Sequence, residues 1–133
     1  MSAASYQRAQ ARMVLEPAYA RRVAAGEEPD GLTEVEAARL RAQAGDPGLA
    51  LCTTLHEGWR LTKLLTLLPT VFAIGDPDDL AALVREFWDG RRPRGLRFEG
   101  EAAEFARLVA ERAGAGPLRE VALLEAAALV AAT

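Results

Sequence analysis

Cys52 and His56 carry the readiest chemistry in this 133-residue sequence, a thiol and an imidazole four positions apart. On a helix that spacing places both on one face, where they could offer two ligands to a metal ion. A closed zinc site takes about four ligands. The sequence has no second cysteine and no second histidine, so carboxylates would have to complete the set. The pair does not read as an activated nucleophile either, because no third group is suggested to orient the imidazole, and no serine sits in a Gly-x-Ser-x-Gly turn. Gly114-Ala-Gly116 follows no strand and lacks the full phosphate-binding pattern, so it reads as a helix stop. The expectation is a small core role for Cys52, a hydrogen-bonded or exposed His56, and no catalytic, cofactor-binding or metal-binding residue.

Two further groups of residues invite a role in binding. Arg91, Arg92, Arg94 and Arg97 form the only dense basic run and lie beside Trp88. Forked guanidinium groups there could grip an acidic peptide or phosphates, or the run could be a solvated loop that pairs with acidic helix starts. Trp88 and this loop are where a partner is expected first, followed by Tyr6 and Tyr19 near the N-terminus. Arg60 and Glu125 pose a different problem, since each sits in a leucine- or alanine-rich segment where an unpaired charge is costly. A structural ion pair between Arg60 and Glu125 is expected, tying the last helix to the central one. Trp59 is either a core residue or a partner contact, the core being the commoner place for a lone tryptophan in a helix.

The elements that must position these residues are helices. Ala and Leu dominate the apolar set and β-branched residues are few, which favours helix over strand. A first helical stretch covers 5–14, and Pro17 opens a second that Gly26 ends. Thr33 and Glu36 have capping-box spacing, ahead of a helix to about Gln43. After Gly45-Asp-Pro-Gly48, the longest helix runs from Leu49 to Leu68, with Leu51, Leu55, Trp59, Leu61, Leu64, Leu65 and Leu68 spaced for a central helix against the core. Pro69 interrupts it, and 70–75 is either a short helical turn or an extended connector. Asp76-Pro-Asp-Asp79 opens a helix through Trp88, Gly90 to Arg97 is a loop, and helices follow at 100–113 and 118–130. The prediction is an all-α, single-domain bundle of about six or seven helices around a long central one.

Composition narrows the class. The chain is 50% apolar and 26% charged, the balance of a folded domain. Its formal charge of −3 lacks the positive field that drives non-specific binding to phosphate backbones. One cysteine excludes an internal disulfide and fits a reducing compartment. The start has no basic-then-apolar signal order, and nothing approaches the about 18 uninterrupted apolar residues of a membrane span. A cytoplasmic location is expected.

Three segments then carry a resemblance. "LHEGWRLTKLLTLLPTV", "GDPDDLAALVREFWDGRRPRG" and "EFARLVAERAGAGPLREVALLEAAAL" together resemble the helical domain of the HvfC/BufC-type proteins. Those are related to the accessory subunits of methanobactin-type and thiaglutamate-type peptide biosynthesis. Arg60, Pro69, Gly75, Trp88, Phe105, Val121 and Glu125 match the family pattern position for position. The match covers 49–130, with the N-terminal helices of 1–45 outside it.

The resemblance implies a non-enzymatic partner protein that binds a multinuclear non-haem iron-dependent oxidative enzyme. It would help present or recognise a ribosomally made precursor peptide in natural-product (RiPP) biosynthesis. The iron would belong to that enzyme, and this chain would hold no cofactor. Longer members hold peptide by strand addition in a second domain, and no such strand-rich segment is expected within 1–133. The alternative reading is a nucleic-acid-binding or regulatory helical protein using the Arg91 to Arg97 loop, against which the negative net charge argues.

Overall fold

Proline at the first helical position has no N–H to leave unsatisfied, and its fixed φ suits a helix start. In the computed structural model, which describes residues 3–89 and 98–132, five of the eight helices begin this way. The helices are α1 (Ala3–Leu15), α2 (Pro17–Ala24), α3 (Glu34–Ala44), α4 (Pro47–Leu67), α5 (Pro69–Ile74), α6 (Pro77–Trp88), α7 (Glu99–Ala113) and α8 (Pro117–Ala131). The fold is all-α, and no strand occurs among the described residues. The number exceeds the expected six or seven because the segment after Pro69 is a true helix. Its start is capped from a distance, as shown below.

The described residues form two compact units, Met1–Gly58 and Trp59–Thr133, so that the division falls inside α4 and not at the Gly45 to Gly48 punctuation. In the first unit, α1, α2 and α3 pack pairwise around Met13, Val23, Leu40 and Tyr19. The start of α3 is fixed by its capping box. Thr33 Oγ1 accepts from the Glu36 N–H at 3.2 Å, and the Thr33 N–H donates to Glu36 Oε2 at 2.9 Å. Thr53 on α4 donates its hydroxyl to the Val14 carbonyl at 3.1 Å, which ties α4 to the end of α1.

In the second unit, α7 and α8 make the most extensive pairing. Ala102, Ala106 and Ala110 recur every fourth residue on α7, and Ala122 and Ala126 do so on α8; all are buried. Small side chains at these positions let the two backbones approach. Phe105 is the centre of the core, stacked on Phe72 at 5.9 Å and met edge-on by Phe87 at 5.5 Å. Leu64, Leu68, Val71, Leu80, Val84 and Val109 fill the space around it.

α4 departs from expectation. Within it only Arg60 and Leu64 are buried, with Leu68 buried just beyond its end. Leu51, Leu55, Trp59, Leu61 and Leu65 are exposed, at 59%, 66%, 45%, 37% and 45%. The reason is that two stripes of helical spacing run along the same helix. The inward one is Leu49, Thr53, His56, Arg60, Leu64 and Leu67, each buried or half-buried and partly polar. The outward one is the more apolar of the two.

Candidate interaction site

Arg60 reaches the interior of the second unit from α4 and meets Glu101 in the first turn of α7. Its Nε donates to Glu101 Oε1 at 3.0 Å, and its Nη2 donates to the same oxygen. Trp88, the last residue of α6, donates its indole N–H to that oxygen as well, at 3.1 Å. The guanidinium carbon also lies 4.7 Å from the centre of the Trp88 ring, so the cation has both an anion and a π face. Both Arg60 and Glu101 are buried. A charge pair removed from water this completely survives only where further hydrogen bonds complete it, and the indole supplies one.

The expected Arg60 to Glu125 pair is therefore not formed. Glu125 instead reaches from α8 to the start of α5, where its two oxygens accept the backbone N–H groups of Thr70 and Val71 at 2.8 and 3.0 Å. A helix start leaves its first N–H groups without partners inside the helix, and Leu68, at the N-cap of α5, makes no side-chain bond to them. A carboxylate placed there satisfies two of them and complements the helix dipole. The last helix is tied to the Leu67 to Pro69 break by backbone recognition and not by an ion pair.

Of the residues expected to contact a partner, Trp88 is half-buried and engaged with Arg60 and Glu101. Tyr19 is 3% exposed, part of the first unit's core, with the Arg12 guanidinium 4.0 Å from its ring centre. Burial raises its phenol above the ordinary range, opposed by the charge of Arg12. Tyr6 is half-buried against the same core. Arg91, Arg92, Arg94 and Arg97 lie outside the described residues. The positions on either side of them are held to α4: Trp88 against Arg60, and Phe98 edge-on to Trp59 at 4.9 Å.

Cys52 is exposed, where a small core role was expected, because it borders the outward stripe of α4. His56, on the inward stripe, is half-buried. Among the described residues, no group of three or more His, Cys, Asp or Glu side chains is placed to hold a metal ion.

Comparison of the chain with protein-family models, with curated proteins and with solved structures gives no match. The geometry of the chain itself must carry its reading.

That geometry exposes apolar side chains, among them leucines of α4 that were expected in the core. Leu51, Leu55 and Leu65 project outward from α4, and Leu123, Leu124 and Val130 project outward from α8. The signal available beforehand was Arg60. A charged residue that must be paired inside the fold marks its own side of the helix as the inner one. No described helix is long and apolar enough to cross a membrane.

Proposed function

We propose that this chain is a non-catalytic partner subunit of a multinuclear non-haem iron-dependent oxidative enzyme, acting in the cytoplasm on a ribosomally made precursor peptide. It binds the enzyme and helps present the peptide, and the iron belongs to the enzyme. The observation that carries this reading is that the positions shared with the HvfC/BufC pattern all have structural work in the second unit. Arg60 and Trp88 build the buried charge cluster. Pro69 starts α5, and Glu125 caps it. Phe105 centres the core, and Val121 packs against it.

Gly75 has an equally definite role. A Cβ there would lie 2.6 Å from Leu80 Cδ1 and 3.0 Å from the Val71 carbonyl oxygen, so any larger residue makes Leu80 or the end of α5 shift. A pattern whose members interlock in this way is a fold signature, and it supports transfer of the fold and of the partner role together. The outward Leu123, Leu124 and Val130 of α8 offer apolar contact area for the enzyme.

Co-expression with an iron-dependent oxidase encoded beside this chain tests the reading. Co-elution of the two on gel filtration is expected. Separate elution overturns it.

A further inference from the structure

Six residues form α5, and a helix of that length is not stable by itself, because its nucleus costs more than so few hydrogen bonds return. What holds it comes from elsewhere in the second unit. Val71 is buried, Phe72 is half-buried with its ring stacked on Phe105 at 5.9 Å, and Pro69, Thr70, Ala73 and Ile74 are exposed. The helix packs chiefly on α8, whose Glu125 accepts the Thr70 and Val71 N–H groups.

Both ends of α5 are uncoupled from the helices next to it in sequence. Proline has no N–H, so the hydrogen-bond ladder of α4 cannot pass through position 69, and Leu68 stands outside helical geometry at φ −123°, ψ 55°. At the other end Gly75 is extended, with ψ 153°. There α6 starts on a cap of its own, the Asp76 side chain accepting the Asp79 N–H at 3.0 Å.

Release of α5 costs the burial of one side chain, part of a second and two charge-assisted hydrogen bonds, and it returns the conformational freedom of six residues. Release of α7 or α8 costs far more, since Phe105, Ala106 and Val109, or Ala122 and Ala126, lose their burial along with the pairing of the two helices. A segment with few buried contacts opens before the rest of its fold does.

We propose that α5 is a lid latched by Glu125. It opens as a unit between Leu68 and Gly75 while α6, α7 and α8 stay folded, and it bares the side of the Phe105 ring that Phe72 covers. The proposal is independent of the partner-subunit reading, since it rests on contacts within the second unit.

Native-state amide exchange of the full chain in rising, sub-denaturing urea tests it. The Thr70 and Val71 amides donate to Glu125, and those of Phe72 and Gly75 to the Leu68 and Val71 carbonyls at 3.2 and 2.9 Å. These four are expected to exchange together, at least about tenfold faster than the Ala106 and Ala126 amides and with little dependence on urea. Glu125→Ala is expected to speed all four by one common factor. Arg60→Met, which loosens the unit without touching the latch, is expected to speed exchange at Ala106 and leave the four unchanged. Should that variant fail to fold, the urea series on the unaltered chain decides alone. A urea dependence at α5 as steep as at Ala106 overturns the proposal, because α5 then opens only when the unit unfolds. So does fast exchange confined to Thr70 and Val71, which is fraying of a helix start, or an Arg60→Met variant that speeds the four α5 amides as much as Ala106.

Discussion

Arg60 and Glu101, 41 residues apart in sequence, meet at a single carboxylate oxygen that accepts from both the guanidinium Nε and Nη2 and from the Trp88 indole. Three helices, α4, α6 and α7, are joined at that one atom. The arrangement removes a cation and an anion from water together. Its value to the fold therefore depends on neither partner being lost.

Replacing one partner alone leaves a buried charge uncompensated. Arg60→Met or Glu101→Leu is expected to destabilise the second unit by about 3–5 kcal/mol, and the double variant to recover most of that loss. Both tryptophans of the sequence lie in this unit, so tryptophan fluorescence during urea unfolding reads it directly. Equal losses in the double and single variants would show that the pair is not the source of the effect.

Glu125 supplies the first N–H groups of α5 with an acceptor. Glu125→Ala is expected to cost about 1–2 kcal/mol, the loss of a helix cap, and Glu125→Gln less because one acceptor oxygen remains. Faster amide exchange at Thr70 and Val71 would locate the effect.

Gly75→Ala forces Leu80 or the Val71 carbonyl to move and is expected to cost about 1–3 kcal/mol. The urea midpoint of this variant against that of the unaltered chain measures the loss, and an unchanged midpoint would show that the turn accommodates a Cβ.

Tyr19 links stability to alkaline pH. Its phenol titrates above its ordinary value of 10.0 in the folded chain, because burial disfavours the anion. Below pH 10 both folded and unfolded chains hold the proton, and the contribution is fully present. As pH rises above 10, the unfolded chain releases its proton first, so stability falls until the folded-state value is passed. Thermal unfolding of the first unit should show this fall, and Tyr19→Phe should reduce its steepness.

Much of the helical order was legible because it is written in local chemistry. Prolines at 17, 69 and 77, the Thr33 and Glu36 box and the Asp76 cap each act within a few residues. The side of α4 that faces the core was not legible in this way. Both of its stripes satisfy helical periodicity, and apolar content favours the one that is exposed. The partner of Arg60 was hidden for a related reason. Glu101 looks like an ordinary acidic residue of a helix start, and only the approach of α7 to α4 brings it inward, while Glu125 looks misplaced in an apolar helix yet serves a backbone two helices away. Tyr19 reads as a surface aromatic among arginines until Arg12 is seen stacked over its buried ring.

As a partner subunit, the chain is proposed to serve an iron-dependent peptide oxidase without doing the chemistry. The most direct measurement is the rate at which that oxidase converts its precursor peptide with and without this chain present. A strong dependence of the rate on the added chain is predicted. An identical rate in its absence would contradict the claim.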